Sequence, residues 1–233
     1  MMKKKQLIWT IMLSLLSSLL TKVLINILKK QDPIMQEIIS HKSLYETKEI
    51  NAIITENFII PGNKGTKINL NESYKKMKKL GYFDKTLLVF NDKKPNLTID
   101  KKYNKLILYG NIYKNNISII IHVNNDDELN NIKKIVNQYN VSINYEIDNI
   151  INNKYCLSNE IKVNKTCISK KMYTIFIKNN ITNQYWINTK DKIQHGNILY
   201  YNFKNNLNDL HLIISYITSN NYHIVLIDEL IKE

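Results

Sequence analysis

The chain has 233 residues, of which 44% are hydrophobic, so it can form one large or two small globular domains. Its formal net charge is +13, but six lysines lie in the first thirty residues, which contain no acidic residue, and 13 − 6 leaves +7 for the remainder. The chain contains no arginine. Because arginine is the preferred bidentate ligand of phosphate and guanine, this composition argues against nucleic acid as a partner.

The amino-terminal segment predicts a membrane anchor. An apolar run over residues 6–28 lies between three lysines at 3–5 and two at 29–30. As a helix it spans roughly 34 Å, enough for a bilayer core, with Lys22 near enough to the far edge to reach the interface. No Ala-x-Ala-like cleavage site follows, which favours an uncleaved signal anchor over a cleaved signal peptide with an apolar core at residues 7–21. Lysines are slightly more numerous before the run. This asymmetry predicts a single-pass protein of the cell membrane with a cytoplasmic N-terminus and an extracytoplasmic C-terminal domain.

The two cysteines, Cys156 and Cys167, leave two interpretations open. A disulfide across this short loop suits an oxidising compartment, and two unpaired thiols fit the sequence equally well. Without neighbouring histidines, the cysteines do not predict a zinc site.

Residues 31–112 predict a linker helix and a small α+β module. The helix is expected over residues 34–49, after Pro33, and is followed by a strand at 52–60 and a turn at 61–65. Asn71 is the predicted N-cap of a second helix, which runs through Lys79 and ends at Gly81. Short strands are predicted at residues 86–90, 96–99 and 106–109.

Residues 113–233 alternate between strand and helix patterns. A buried strand is predicted at residues 118–123, and Asp126 is the predicted cap of the following amphipathic helix. The apolar face of this helix consists of Leu129, Ile132, Ile135, Val136 and Tyr139. Further strands are predicted at residues 141–147, 172–176, 198–203 and 222–227, with a helix at 207–217 and a last helical turn capped by Asp228. Such repetition predicts a parallel sheet or an open barrel with right-handed crossovers, in which the chemistry lies at the carboxyl ends of the strands.

This alternation resembles the NodB-type polysaccharide deacetylases, a (β/α) barrel family, in a divergent membrane-anchored form found in low-GC Gram-positive bacteria. Three passages carry the resemblance: residues 73–83, the strand–helix–strand unit at 118–147, and the closing segment 196–230. The resemblance implies an α/β fold with an incomplete (β/α) barrel of NodB deacetylase-like type at residues 113–233. A small α+β module at 31–112 and a transmembrane helix at 1–30 would precede it.

The resemblance also implies that the family's catalytic positions are substituted. The two aspartates of its Thr-Phe-Asp-Asp-Gly motif, a base and a metal ligand, align with Asn124 and Asn125, and the histidine of its last motif aligns with Asn202. An amide cannot act as a carboxylate base and is a poor ligand for a zinc-like ion. No His-x-x-x-His pair supplies the family's two metal-binding imidazoles. The family uses a divalent metal such as zinc. Because its ligands are not found in this sequence, we predict no metal and no other cofactor.

Three functional hypotheses follow from the resemblance. The first is a catalytically inactive, deacetylase-like extracytoplasmic protein that binds cell-wall glycan or another envelope protein. The second is an active, divergent metal-dependent carbohydrate N-deacetylase, a carbon–nitrogen hydrolase with a rearranged site made of Asp126, Asp127 and His195. The third is a structural envelope ectodomain without glycan binding.

Aromatic side chains are the candidate glycan contacts of the first hypothesis, since sugar rings stack on them. Packing in the protein core explains the same aromatic residues equally well. The candidates are Tyr185, Trp186, Tyr200 and Tyr201.

Overall fold

The computed structural model describes residues 2–177, 180–181, 193–202 and 208–233. The chain divides into two compact units, which comprise residues 1–48 with 65–93 and residues 49–64 with 94–233. This division differs from the boundary predicted at residue 112, because strands from both sides of that residue hydrogen-bond within one sheet.

The helices are α1 (Met2–Gln31), α2 (Pro33–Ser40), α3 (Lys42–Tyr45), α4 (Leu70–Lys78), α5 (Asp126–Tyr139), α6 (Lys165–Ser169), α7 (Asn208–Ser219) and α8 (Ile227–Leu230). The strands of the first half are β1 (Ile53–Ile54), β2 (Phe58–Ile60), β3 (Gly65–Ile68), β4 (Phe90–Lys93), β5 (Leu106–Ile107) and β6 (Asn116–His122). The later strands are β7 (Asn144–Glu146), β8 (Ile150–Ile151), β9 (Tyr155–Ser158), β10 (Tyr173–Phe176), β11 (Asn180–Ile181), β12 (Ile198–Asn202) and β13 (His223–Ile224).

Helix α1 is long and apolar enough to cross a membrane. Its segment Ile8–Gln31 has a mean hydropathy of 2.0, and none of it is buried within the protein. Trp9 is 66% exposed and Leu28 is 65% exposed, so this apolar surface is not covered by the part of the chain that the structure describes. The helix therefore fits a single membrane span or a signal anchor.

The first unit has its own small core beneath α2 and α4, formed by Ile34, Ile38, Ile68, Met77 and Leu88. Asp32 caps α2, because its side chain accepts a 3.0 Å hydrogen bond from the backbone N–H of Ile34. Asn69 caps α4 through the N–H of Glu72, so the prediction of Asn71 as the cap was wrong by two residues.

The second unit is an incomplete (β/α) barrel, as predicted. One sheet has the order β1-β2-β5-β10-β9-β8, and the other has β11-β12-β6-β13 with β7 also paired to β6. The pairs β1–β2 and β8–β9 are antiparallel and the other pairs in these sheets are parallel. Both sheets contribute to one interior cluster, which includes Ile59, Ile107, Ile120, Ile151 and Ile175, each 0% exposed.

A second cluster lies on the outer face of β6 and β12, under the amphipathic helices α5 and α7. Ile132, Ile135 and Val136 of α5 are buried there, which confirms the helical face predicted from their spacing. Strand β7 is shorter than predicted, and α5 ends at Asn140 in the left-handed conformation (φ 52°), which turns the chain towards β7.

Cys156 and Cys167 form a disulfide, with Cα atoms 6.4 Å apart. The disulfide joins β9 to α6 and packs with Met172 and Ile150 in a small outer cluster. Of the two interpretations open from the sequence, the structure has the disulfide.

The final segment enters the interior of the barrel. Ile227, Leu230 and Ile231 all belong to the interior cluster. The strand predicted over residues 222–227 is limited to β13, and Leu226 occupies the N-cap position of α8, so Asp228 lies in the first turn and does not cap it. Three short strand predictions also differ. Residues 85–87 form a 3-10 turn, no strand forms at residues 96–99, and only residues 106–107 of the third are extended.

Candidate functional site at the carboxyl ends of the barrel strands

Strand β6 separates its side chains onto two faces, as the two-residue period of a strand requires. Ile117, Ile119 and Ile121 pack outward against the helices. Ile120 packs into the interior cluster, and the alternation places Ser118 and His122 on the same side. His122, the last residue of β6, therefore lies at the mouth of the barrel, where the strand gives way to the loop before α5.

His122 and Glu146 meet at this mouth. They are register partners on the neighbouring parallel strands β6 and β7. His122 Nδ1 lies 2.7 Å from Glu146 Oε2, and the Tyr200 hydroxyl of β12 donates a 3.2 Å hydrogen bond to the same oxygen. The other carboxylate oxygen, Oε1, accepts a hydrogen bond from the backbone N–H of Asn149. Three strands and one turn thus converge on a single carboxylate.

The cluster is more buried on the Glu146 side than on the His122 side. The side chain of Glu146 is 1% exposed, whereas that of His122 is 28% exposed. Burial and the neighbouring Glu146 carboxylate raise the pKa of Tyr200, so this phenol stays neutral and donates its proton to the carboxylate. A buried carboxylate with three donors is satisfied, and it holds the imidazole in one orientation at the edge of the site.

Asn144, one step earlier on β7, anchors the strands beneath this cluster. Its amide nitrogen donates to Ser118 Oγ at 2.7 Å and to the carbonyl of Ile119 at 3.1 Å. Its amide oxygen accepts a 3.2 Å hydrogen bond from the N–H of Ile227. Because Asn144 is only 3% exposed, these bonds fix β6, β7 and α8 to one another in the interior.

The predicted substituted positions lie at the same end of the barrel. Asn124 and Asn125 follow β6 directly, and Asn202 at the end of β12 is the register partner of His122. The structure describes only the backbone of Asn202. Asn125 caps α5, since its side chain accepts a 2.9 Å hydrogen bond from the N–H of Glu128.

The capping assignment corrects the prediction that Asp126 caps this helix. Asp126 and Asp127 are instead exposed residues of its first turn, where carboxylates interact favourably with the helix dipole. Asn124 donates from its side chain and from its backbone N–H to Glu128 Oε2, both at 2.9 Å. All four polar residues after β6 therefore have a place in the start of α5.

His195 lies at the opposite end of β12 from this site. It precedes Ile198, the first residue of the strand, whereas Asn202 ends it. His195 Nδ1 lies 3.3 Å from the carbonyl oxygen of Lys114, which precedes β6, and its ring packs edge-on against Tyr222, which precedes β13. The five-residue strand separates the two ends by roughly 13 Å. The structure thus does not bring His195 together with Asp126 and Asp127.

A cleft of about 690 Å³ opens beside the cluster. Its lining comes from the carboxyl ends of β9 and β10, from the turn at Asn149 and from Tyr200. The polar residues around it are Asn149, Ser158, Asn159, Glu160, Lys162, Asn164 and Lys165. Ser158 stabilises the loop wall by donating to the carbonyls of Glu160 and Lys162, at 2.9 and 3.2 Å.

The four candidate aromatic contacts have different positions. Tyr200 lines the cleft, although it is only 8% exposed. Tyr201 belongs to the outer cluster under the helices, where burial and the Asp209 carboxylate raise its pKa. Tyr185 and Trp186 lie outside the described residues.

The described residues of the site offer fewer ligands than a catalytic zinc site commonly has. In the described part of the chain, no group of three His, Cys, Asp or Glu side chains is arranged to hold a metal ion. His122 and Glu146 are two such groups, but the carboxylate oxygens already accept hydrogen bonds from Tyr200 and Asn149. A catalytic zinc site commonly has three protein ligands.

Sequence reasoning missed the His122–Glu146 pair. The two residues are 24 positions apart, and neither belongs to a recognisable motif. The available signal was a polar residue at the end of each of two consecutive hydrophobic strands, since parallel strands bring such ends together.

Comparisons with known proteins agree with this architecture. No family model matches the sequence. The chain is 33% identical over 100 residues to the uncharacterized protein YlxY of Bacillus subtilis strain 168, a match that covers 42% of this chain and 31% of that protein. The chain thus spans less than a third of that relative's length.

Solved structures show the same fold at low sequence identity. A mutant of BA3943, a CE4 family pseudoenzyme, superposes with a TM-score of 0.63 and 19% identity, covering 87% of this chain and 98% of that one. The wild-type BA3943 from Bacillus anthracis gives a TM-score of 0.60 at 18% identity over 87% of this chain and 96% of that one. A further mutant, described as having restored enzymatic activity, gives 0.62 at 18% identity, with 87% and 99% covered. The deacetylase-like fold predicted from the sequence is therefore confirmed.

Proposed function

We propose that this chain is a membrane-anchored extracytoplasmic protein that binds cell-envelope glycan at the mouth of its barrel and does not hydrolyse it. The observation that carries the proposal is the state of Asn125. The resemblance aligns Asn125 with a catalytic aspartate, and the side chain of Asn125 accepts the hydrogen bond from the N–H of Glu128 that caps α5. The neighbouring Asn124 is bonded to Glu128, so neither residue supplies a base or a metal ligand.

The donor set around the cleft supports the absence of hydrolysis. Metal-dependent deacetylation requires a Lewis acid and a carboxylate base close together. The only histidine beside Asn124 among the described residues of this site is His122, which Glu146 holds. The similarity in fold to BA3943, which is named a pseudoenzyme, agrees with this proposal.

The chemistry of the cleft supports a polyhydroxylated ligand. Its volume of about 690 Å³ lies within the range of about 300–1,000 Å³ typical of ligand pockets. Asn149, Ser158, Asn159 and Asn164 contribute amide and hydroxyl groups to its wall, beside the charged residues Glu160, Lys162 and Lys165. Such groups exchange hydrogen bonds with sugar hydroxyls as donors and acceptors.

Two further features support membrane anchoring with an extracytoplasmic barrel. Helix α1 presents an apolar surface long enough for one bilayer crossing. The Cys156–Cys167 disulfide is typical of proteins outside the reducing cytoplasm. Together they favour the barrel on the extracytoplasmic side.

Retention on insoluble peptidoglycan tests glycan binding by the full chain in detergent. The variant Asn159→Ala/Lys162→Ala removes two exposed polar side chains from the cleft wall. The variant Asn130→Ala/Lys133→Ala is its matched control, because the same residue types at the same spacing are exposed on α5. We expect the wild type and the control to be retained and the cleft variant to be washed off. Equal retention of all three, or of none, contradicts glycan binding at this cleft.

A separate assay tests the absence of hydrolysis. The full chain is purified from zinc-replete medium and incubated with acetylated chitooligomers. We expect no stoichiometric zinc and no acetate release. Acetate release that disappears on chelation would establish the alternative of an active deacetylase.

A further inference from the structure

We infer that α4 carries a binding face for anionic lipid headgroups, formed by Lys75, Lys76 and Lys79 and termed here the basic face. The inference rests on the proposed membrane anchoring by α1. It assigns a position and a ligand to three exposed lysines of this helix. The ligand chemistry is the phosphodiester group at the bilayer surface.

Helix α4 lies beside the last turn of α1. Lys29 Nζ of α1 donates a 2.8 Å hydrogen bond to Asn71 Oδ1 of α4. The same ammonium lies 5.0 Å from the centre of the Tyr74 ring, within cation–π distance. These contacts place α4 at the depth of the carboxyl end of the span.

The depth of that end follows from the helix rise. From Ile8 to Leu28 an α-helix advances about 30 Å, which is the thickness of the hydrocarbon core. Leu28 therefore lies at the hydrocarbon boundary, and Lys29 lies among the headgroups. Since α4 contacts Lys29, its neighbouring lysines are at headgroup level too.

A groove of about 760 Å³ lies between the two helices. Ile25, Leu28 and Lys29 form its α1 side, and Tyr74, Lys75 and Lys79 are among the residues of its α4 side. The groove thus combines an apolar surface from Ile25 and Leu28 with lysines at its headgroup end, an arrangement that matches the acyl chain and the phosphate of one lipid. This amphipathic pattern is the one found in helices that lie in the membrane interface.

The charges within the groove favour an anionic occupant. Lys78 is paired with Asp32 at 2.5 Å, and Tyr74 also donates to that carboxylate, at 2.9 Å. Lys75, Lys76 and Lys79 are exposed. Glu72 is the other acidic residue of the groove lining, so the basic face keeps a net positive charge.

The residues after α4 extend this surface with apolar groups. Leu80 is 50% exposed and Tyr82 is 58% exposed. A second groove of about 520 Å³ combines Leu80 and Leu87 with the three lysines of the basic face and Glu72. A purely solvated lysine surface does not account for these exposed apolar side chains, whereas aromatic and aliphatic residues are typical at a membrane interface.

Amine acylation of the full chain in bilayers tests the inference. Three samples are compared: phosphatidylcholine, phosphatidylcholine mixed with phosphatidylglycerol, and phosphatidylcholine with added inorganic phosphate. Peptide mass spectrometry gives the acylation rate of each lysine. A surface potential of about −30 to −50 mV concentrates protons about three- to sevenfold and lowers the reactive amine fraction accordingly. We therefore expect the three lysines of the basic face to react about three- to sevenfold more slowly in the phosphatidylglycerol sample.

Variants separate specific binding from the general surface charge. After release from the mixed bilayer into detergent, the wild type should retain phosphatidylglycerol above its bulk proportion. Lys75→Gln/Lys79→Gln should lose this enrichment, and Lys133→Gln/Lys134→Gln, an equal charge change at exposed positions of α5, should keep it.

The possible outcomes are distinct. Equal protection by inorganic phosphate would replace the lipid with a free phosphate ion and overturn the inference. A membrane-inserted chain whose lysines react equally in all samples would overturn it while leaving the anchoring intact. A chain that carbonate extracts from the bilayer would overturn the anchoring and this inference together.

Discussion

His122 Nδ1 lies 2.7 Å from Glu146 Oε2, which joins a partly exposed imidazole to a carboxylate that is 1% exposed. Glu146 also accepts hydrogen bonds from Tyr200 and Asn149, so it is the centre of the polar network at the barrel mouth. A buried acceptor with several donors contributes to stability mainly through the cost of leaving those donors unpaired.

Glu146→Gln should therefore lower the free energy of unfolding by about 1–3 kcal/mol, because an amide accepts fewer hydrogen bonds than a carboxylate. In a double-mutant cycle with His122→Gln, the coupling should be about 0.5–3 kcal/mol. Urea unfolding of the full chain in detergent measures both quantities. The control cycle pairs Glu146→Gln with His195→Gln at the other end of the strands and should be additive within about 0.5 kcal/mol. Equal coupling in the two cycles would show that the His122–Glu146 contact has no special energy.

The side chain of Asn125 gives a prediction about helix capping. Asn125→Ala should lower the free energy of unfolding by about 0.5–2 kcal/mol, because the N–H of Glu128 loses its acceptor. Asn125→Asp should be close to wild type, since aspartate caps equally well. The same urea titration compares them. If alanine is tolerated as well as aspartate, Asn125 does not act as the cap.

Aspartates at the two positions that the resemblance aligns with the deacetylase carboxylates should not create a metal site. We expect Asn124→Asp/Asn125→Asp to bind no stoichiometric zinc, because two carboxylates without a histidine pair make an incomplete site and the second one still caps α5. Metal analysis after dialysis and an acetate-release assay check this. One zinc per chain accompanied by acetate release would contradict the prediction.

The disulfide should stabilise the barrel by restricting its unfolded state. For a loop with a sequence separation of 11 residues, Cys156→Ser/Cys167→Ser should lower the free energy of unfolding by about 3 kcal/mol. The reduced wild type is the matched control and should lose a similar amount. In intact cells, a membrane-impermeant maleimide should label the wild type only after reduction. Labelling without reductant, or only after permeabilisation, would contradict an oxidised extracytoplasmic barrel.

Asp32 predicts an acid-sensitive component of stability in the first unit. The hydrogen bond from Lys78 holds the pKa of Asp32 below its ordinary value, with Tyr74 and the N–H of Ile34 adding to the effect. A carboxyl group whose pKa is lowered by folding stabilises the folded state above its unfolded pKa, and this stabilisation is lost as the pH falls through the folded value.

Asp32→Asn keeps the cap of α2 but removes the charge, so its thermal stability should depend less on pH below about 4 than that of the wild type. Lys78→Gln removes the partner and should flatten the profile in the same direction. Thermal unfolding by circular dichroism between neutral and acidic pH compares the three proteins. Parallel profiles would show that the pair contributes nothing.

Local pattern predicted much of the fold. The apolar spacing of α5 and the continuous hydrophobic run of β6 were sufficient to predict these two elements, because one face of the helix and both faces of the strand are buried. Cap positions were less predictable, since adjacent polar residues such as Asn125 and Asp126 are both good caps and only the backbone decides between them. Residues 150–158 showed no pattern because their two short strands form a tight hairpin, with Asn152 and Asn153 in the left-handed conformation.

The site was less accessible to sequence reasoning than the fold. The resemblance directed attention to Asn124, Asn125 and Asn202, which share one end of the barrel. The polar network at the barrel mouth, however, is centred on Glu146. The resemblance covered the strand that contains Glu146 but gave this residue no role. Pairing of β6 with β7 in one particular register brings it to His122, and register is a property of the tertiary structure.

The interior position of α8 has a consequence for biogenesis. Ile227, Leu230 and Ile231 fill the same cluster as Ile59 of β2, which lies nearly the whole barrel sequence earlier. The interior cluster therefore stays incomplete during synthesis until residues 227–231 have emerged, and β5 keeps one unpaired edge until its later partner β10 has been made. Contacts of such long sequence separation fold slowly and leave the incomplete barrel open to misassembly.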